Sequence, residues 1–365
     1  MEKVRIGIIG TSPYAETMHF GNLQSHTAAE IAAVCGLDAP RVRELAARYS
    51  IPSTFSDWRE LIRRGKLQAV IVAAPHDLHY PITMEALEAG LHVLCEKPLA
   101  MTAAHAREMT EKAASRSLIN MCYFTWRWLP AYRHALQLVK DGYIGRLLNF
   151  EARYITGYAR GDQDHWRNDP RHSLGVVAEL GVHMIDLCRL FAGDLVRVCG
   201  RLGTFSSGRG AGGGARAAAN DSAFCLLEST NGAHGTLHAS AVAHTAERDQ
   251  EQHIVLHGTD GTLEIEHIAT RGASLRGARA TEARIAPIEV PAALGVIAPD
   301  VPPWEAFTSL FRTQSIGTRH FVDCILAGTP AAPGFADGLK AQAVIDAVFE
   351  SDATGKWVSL DGAGS

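Results

Sequence analysis

The chain opens on a short apolar run, Val4 to Ile9, and similar runs return at Ile31 to Cys35, Ala69 to Ala74, His92 to Cys95 and Leu118 to Phe124. Runs of this length bounded by turn residues read as buried strands. Helical stretches separate them. One covers Tyr14 to Gln24. A second opens at Asp38 as N-cap, with Pro40 near the first helical position, and continues through Tyr49. Ser56 is placed to cap a short helix before Gly65, Pro81 to Ala89 forms a helix that stops at Gly90, and Thr102 starts a helix through Ser117. Strands separated by helices of this length predict a parallel sheet with right-handed crossovers.

The character changes after Thr125. A helix is predicted from Pro130 to Lys140, a strand from Leu147 to Ile155 and a helix from about Val177 to Phe191. Strand-like runs follow at 196–204, 222–229, 233–240, 252–257 and 262–266. Asn231-Gly232 is a hairpin signal, and Gly258-Thr259-Asp260-Gly261 separates another strand pair. Residues 207–219 are low in complexity and are read as a mobile loop. Residues 267–316 lack clear periodicity, and helices return at Arg319 to Ala327 and Phe335 to about Glu350. The expected fold is α/β. Residues 1–125 form an N-terminal Rossmann-type, doubly wound parallel sheet. Residues 126–365 form a C-terminal α+β domain with a largely antiparallel or mixed open sheet.

Composition narrows the partners. The 365 residues suit two domains at about 150 residues each. A formal charge of -4 argues against a nucleic-acid or membrane-surface partner, since both usually leave a basic patch. No apolar run is long enough to span a bilayer. The strand pattern starting at Val4 leaves no room for a signal peptide, so a cytoplasmic location is expected. The seven cysteines are odd in number and lack Cys-x-x-Cys spacing, which favours reduced thiols over a disulfide framework or structural zinc.

The candidate chemistry lies where strands end. Gly10-Thr11-Ser12-Pro13-Tyr14-Ala15 follows the first strand and opens a helix, which is where a dinucleotide pyrophosphate sits. Against the pattern G-x-G-x-x-G/A, Gly10 and Ala15 fit and Ser12 replaces the second glycine; the plainer reading is an ordinary strand–helix turn. Gly36 occupies the position expected for a ribose-binding acid, after Cys35 and before Leu37. Asp38, two residues late, is placed either to bind ribose or only to cap the next helix. Arg41 and Arg43 are candidates for an NADP phosphate, or are simply solvated. Ala74-Pro75-His76-Asp77-Leu78-His79 and Cys95-Glu96-Lys97-Pro98 also follow strands, and Lys97 either supplies a cation near a nicotinamide or is, as the residue alone would suggest, a surface lysine after a strand. Glu179, His183 and Asp186 share one helix face by spacing, as the polar face of an ordinary amphipathic helix or a metal-binding face also would. Removing hydride from an alcohol carbon needs a base for the hydroxyl proton, and histidine suits this near neutral pH. On this reading Asp186 orients the imidazole and Glu179 binds a neighbouring hydroxyl. No second ligand motif accompanies them, so no metal is expected.

Together these segments resemble the Gfo/Idh/MocA family of glucose–fructose oxidoreductase and inositol dehydrogenase relatives. The resemblance is carried by Ile6 to Ala15, Ala74-Pro75 through His79, Glu96-Lys97-Pro98, and Ser173-Leu174-Gly175 through Glu179, His183 and Asp186. Phe335-Ala336-Asp337-Gly338-Leu339 adds to it. It implies NAD or NADP as cofactor, held by Gly10 to Ala15, Gly36, Leu37, Asp38, Ala74, Pro75, His76, His79, Glu96, Lys97 and Arg127. It implies Lys97, His183 and Glu179 as catalytic residues. Tyr154, Tyr158, His165, Trp166 and Arg167, with Glu179 and His183, would line the substrate pocket. Glu179 is one methylene longer than the family's usual aspartate, His76 and Thr125 stand where asparagine is common, and these departures bear on substrate geometry and cofactor choice. A homodimer or homotetramer is implied, built through the open sheet. The expected activity is an NAD(P)-dependent dehydrogenase acting on the CH–OH group of a small sugar, sugar derivative or cyclitol. The alternatives are a glycoside-cleaving enzyme that uses NAD for transient oxidation, and a redox-silent regulator that binds dinucleotide and sugar.

Overall fold

The computed structural model describes residues 3–160, 166–206, 218–295 and 301–360. The predicted loop at 207–219 and the candidate His165 lie wholly or largely outside them. The chain divides into two compact units, residues 1–124 with 307–339, and residues 125–306 with 340–365. The first unit therefore recruits a late segment that a simple cut after residue 125 assigns elsewhere. Within that unit the recruited segment is tied in by polar bonds: the Phe335 amide donates to Asn120 Oδ1 at 2.7 Å, and Thr318 Oγ1 lies 2.8 Å from His19 Nδ1.

The first unit holds a six-stranded parallel sheet of β1 (Val4–Ile9), β2 (Ala29–Cys35), β3 (Ser53–Phe55), β4 (Ala69–Val72), β5 (His92–Glu96) and β6 (Asn120–Tyr123). Their order is β3-β2-β1-β4-β5-β6. This is the doubly wound order, in which strand addition switches from one side of β1 to the other and leaves a crevice at the carboxyl ends of β1 and β4. Val70, Ile71 and Val72 are fully buried, which explains why β4 reads as an unbroken apolar run. β3 escapes the pattern because only three residues pair, Ser53 to Phe55 against Ala33 to Cys35.

Two local readings need correction. The helix before Gly65 is Trp58–Arg64, capped by Asp57, whose Oδ1 accepts from the Arg59 amide at 2.9 Å; Ser56 is one residue too early. The helix expected from Pro81 begins five residues sooner, at His76, and runs to Glu88 with Pro81 inside it. Pro81 removes one ladder bond and its ring crowds the carbonyl of Asp77 four residues back, a local cost that the helix bears.

The second unit is built on a nine-stranded mixed sheet. Its strands are β7 (Leu147–Thr156), β8 (Leu195–Gly203), β9 (Ser222–Ser229), β10 (His234–Ser240), β11 (Gln250–Gly258), β12 (Gly261–Ile268), β13 (Gly272–Arg279), β14 (Ala286–Pro287) and β15 (Val358–Ser359). The order is β14-β13-β12-β11-β7-β10-β9-β8-β15, with β7 and β10 parallel and the other neighbours antiparallel. Along β7, Phe150, Ala152 and Tyr154 are buried while Asn149, Glu151 and Arg153 are exposed, the alternation of a sheet with one covered face. β13 lies in the stretch that lacks periodicity. Its sequence GASLRGAR offers one large apolar residue, Leu275, so the alternation has almost no amplitude.

Candidate active site

In the first unit the turn after β1 is fixed by glycine. Gly10 has φ +130°, and a Cβ there would stand 2.1 Å from the Ala73 carbonyl oxygen. Its amide donates to Cys35 O at 3.0 Å, and the Ala73 amide donates to Ile9 O at 2.8 Å, so the turn is held against both neighbouring strands. A Cβ on Gly36 would meet Thr11 Cγ2 at 2.7 Å. Ser12 is not merely a missing glycine: its Oγ accepts from the Ala15 amide at 3.1 Å and caps the helix that begins at Pro13. A close-lying backbone turn, a capped helix start and a buried Ala15 fit a dinucleotide pyrophosphate. Asp38 caps the helix Ala39–Tyr49, accepting from the Arg41 amide at 3.2 Å. Leu37 beside it is 92% exposed.

The segments after β4 and β5 are braced against each other by His79. Its buried ring sets Nε2 2.9 Å from Ala74 O and Nδ1 2.7 Å from Pro98 O. The bond between Lys97 and Pro98 is cis. Glu96 is buried, with Oε1 3.0 Å from His19 Nε2 and Oε2 accepting from the Lys97 amide at 3.4 Å. His19 and Thr318 are site-supporting residues that the sequence reading missed. They lie 299 residues apart, and only the fold joins them.

His19 sits on a wide π-type turn, Glu16–Phe20, and a second such turn, Val177–Gly181, carries Glu179 in the other unit. These turns recur at functional sites because the extra residue re-aims side chains. His183 follows on the helix Val182–Ala192, and Glu179, His183 and Asp186 are all buried. Arg167 Nε donates to Glu179 Oε2 at 3.2 Å, with its guanidinium 4.8 Å from the Trp166 ring centroid. Arg127 grips Asp186 with both arms, Nε to Oδ2 at 2.7 Å and Nη2 to Oδ1 at 2.6 Å. Sequence reasoning gave Arg127 to the cofactor and Asp186 to the imidazole; the fork between them is what the fold builds.

Aromatic rings surround His183. Trp126 stands edge-on at 6.3 Å and Tyr154 at 6.2 Å between centroids. The Tyr154 hydroxyl donates to Gln250 at 2.6 Å, and burial drives its pKa well above the usual phenol range. Tyr158, by contrast, is half exposed on the turn Tyr158–Arg160. Register places Ala239, Tyr154, Gln252 and His267 side by side across β10, β7, β11 and β12. Gln252 and His267 are buried, and the His267 ring packs 4.9 Å from Trp126. Neither was anticipated, because a lone polar residue in a strand carries no chemical signature.

Two of these histidines make acid costly. Burial lowers His79 to about 4, helped by the charge of His76 and opposed by its two carbonyl partners; burial alone lowers His267 to about 4. Both fall below the unfolded value of about 6.5, so each contributes stability that is complete above that pH and is lost as pH falls toward 4. Each should cost about 2 kcal/mol at pH 5. Thermal melts of His267→Gln should therefore lose less stability between pH 7 and pH 5 than wild type. Equal losses in both proteins would show that His267 does not titrate in this window.

Comparison with known proteins agrees with this architecture. The family model described as "Oxidoreductase family, NAD-binding Rossmann fold" matches residues 4–124, and the model of the Gfo/Idh/MocA C-terminal domain matches residues 132–264. Levoglucosan dehydrogenase of Pseudarthrobacter phenanthrenivorans is 28% identical over 360 residues, covering 87% of this chain and 86% of that protein. D-apiose dehydrogenase of Paraburkholderia graminis is 26% identical, covering 91% and 83%. The crystal structure of an oxidoreductase domain protein from Kribbella flavida superposes with a TM-score of 0.85 at 30% identity, covering 99% and 100%. The chain, matched in both its domains, belongs to the Gfo/Idh/MocA family of oxidoreductases and carries that family's NAD-binding Rossmann domain.

Proposed function

We propose that this oxidoreductase moves a hydride between NAD and a secondary ring alcohol of a sugar, sugar derivative or cyclitol. The observation that carries the reading is the group on the second π-type turn and its helix: buried His183 among Trp126 and Tyr154, with Glu179 paired to Arg167 close by in sequence. Relatives named levoglucosan dehydrogenase and D-apiose dehydrogenase support a carbohydrate alcohol. NAD, when bound, accepts or returns the hydride.

The chain's own residues do the rest. Gly10 to Ala15 hold the pyrophosphate, and Leu37 offers apolar surface to the adenine. His183 takes the hydroxyl proton in the oxidation direction and returns it in reduction. Glu179, its carboxylate oriented by Arg167, accepts a hydrogen bond from a neighbouring hydroxyl. Trp126, buried between His183 and His267, packs beside the imidazole. Lys97, directly after β5 in the NAD-binding unit, would supply a cation beside the nicotinamide.

The test is direct. Purified protein with NAD⁺ is offered levoglucosan, monosaccharides and inositols, and NADH absorbance is followed with product analysis. Accumulation of NADH in step with a keto product is expected. Cleavage of an added glycoside with no net NADH would instead mark the transient-oxidation enzyme. Binding of sugar and dinucleotide without any turnover would mark the regulator.

A further inference from the structure

We infer that Glu16 makes this chain select NAD over NADP, by holding Arg41 and Arg48 away from the 2′-phosphate. The inference rests on the reading of Gly10 to Ala15 as the dinucleotide turn, and concerns a residue to which no role has been given above.

Glu16 directly follows Ala15 and sits at the start of the first π-type turn. Its carboxylate accepts three hydrogen bonds, from Arg41 Nη2, Arg48 Nη1 and, at 3.1 Å, the Tyr49 hydroxyl. Burial pushes the Glu16 carboxyl up, but the bonds from Arg41, Arg48 and Tyr49 outweigh it and hold the group below the usual carboxylate range. Glu16 is therefore ionised at neutral pH. Glu44 completes a closed ring of charges, accepting from Arg41 Nη1 at 2.8 Å and from Arg48 Nη2 at 2.6 Å. Two carboxylates thus neutralise two guanidinium groups.

The position of that ring gives it meaning. Arg41 Nε donates to the carbonyl of Thr11 at 3.3 Å, inside the turn after β1, while the Arg41 amide is capped by Asp38 just past the end of β2. The guanidinium therefore lies between the pyrophosphate turn and the second strand's end. In a doubly wound domain this is where the adenosine ribose 2′-oxygen falls, and where an arginine accommodates the phosphate of NADP. Here that arginine is present but engaged. A 2′-phosphate would have to break charge-assisted bonds to Glu16 and Glu44, and would meet three carboxylates, Asp38, Glu16 and Glu44, against the two arginines. A 2′-hydroxyl has no such conflict. Arg43 offers no ready substitute, because residues two apart on a helix face different directions.

Glu16→Gln keeps the shape and removes the charge. Calorimetric titration with NADH and NADPH, made without any sugar, reads the effect independently of turnover. Wild type should bind NADH at least about tenfold more tightly than NADPH, and Glu16→Gln should tighten NADPH about tenfold or more while NADH stays within about threefold. Adding Arg41→Ala to Glu16→Gln should abolish the gain. Glu44→Gln, a change at a half-exposed carboxylate, should give a smaller gain of the same sign and serves if Glu16→Gln does not fold. Unchanged NADPH affinity in a folded variant that binds NADH normally would overturn the inference, as would equal affinities in wild type. If wild type binds neither dinucleotide, the reading of the Gly10 turn itself fails, which is a separate result.

Discussion

His183→Ala is expected to lower kcat by about 10²–10⁴ while leaving NADH affinity within about threefold, because the proposed mechanism gives the imidazole the hydroxyl proton and gives the dinucleotide to the Gly10–Ala15 turn. Such a change at a buried position invites the objection that the helix is simply disrupted. The structure supplies a control. Asp186, one turn further along, is anchored by the bidentate bonds of Arg127, and that anchor does not involve the imidazole. The helix Val182–Ala192 should therefore keep its place, and thermal stability should fall by no more than about 3 kcal/mol, the scale of a large-to-small buried change. A second readout separates chemistry from packing. If His183 moves the hydroxyl proton, the loss should fall on kcat with KM little changed, whereas a packing defect would lower thermal stability and raise KM together. Near-wild-type turnover in a folded variant would remove His183 from the mechanism.

The parallel sheet was legible because its strands are short apolar runs buried on both faces. The apolar run Val4–Ile9 matches β1 at both ends, the cap reading of Asp38 is the one the structure shows, and the helix expected to start at Thr102 starts at Ala103 with Thr102 as its N-cap. The failures also have physical causes. β13 lacks large apolar residues at its covered positions, and β3 is only three residues long. The helix Pro303–Thr313 went unread inside the same aperiodic stretch as β13. Roles were less legible than positions. Sequence spacing put Asp186 on the same face as His183 and suggested that the two act together, but spacing cannot reveal that Arg127, 59 residues away, takes both carboxylate oxygens. In the same way Glu96 announced itself through its neighbours Lys97 and Pro98, while the buried His19 that binds it gave no local sign. Motifs report which atoms lie on a strand end; the partners that orient those atoms come from distant segments and have no fixed spacing to recognise.

The π-type turns show why ideal spacing misleads here. Each replaces regular α-helix at the place where a polar side chain is drawn into a network, the partly buried Glu16 and the buried His19 on one, the buried Glu179 on the other. A wide turn costs backbone hydrogen-bond geometry, and it persists where the redirected side chain gains a partner. Glu16 gains Arg41, Arg48 and Tyr49; His19 gains Glu96 and Thr318; Glu179 gains Arg167. The local irregularity and the polar network thus account for each other.

Gly10→Ala should abolish measurable NADH binding, a loss of at least about 100-fold, and should destabilise the protein by more than the usual cost of an alanine in a glycine conformation. Two effects combine at this position. A residue with φ +130° lies outside the region that side chains tolerate, at a cost on the order of 1–3 kcal/mol. The added Cβ would also stand 2.1 Å from the Ala73 carbonyl oxygen, which belongs to backbone and cannot rotate aside. Relief requires the turn after β1 to move away from the end of β4, the two strands between which the crevice opens. Binding and stability should therefore fall together. Gly142→Ala separates the two effects: Gly142 also has positive φ, at +78°, but nothing lies within 4 Å of its Cβ position. That variant should lose only about 1 kcal/mol and bind NADH as wild type does. Calorimetric titration and thermal melts of both variants decide the matter. If Gly10→Ala binds NADH within threefold of wild type, the turn is a tight bend without a ligand, and the dinucleotide must be held elsewhere.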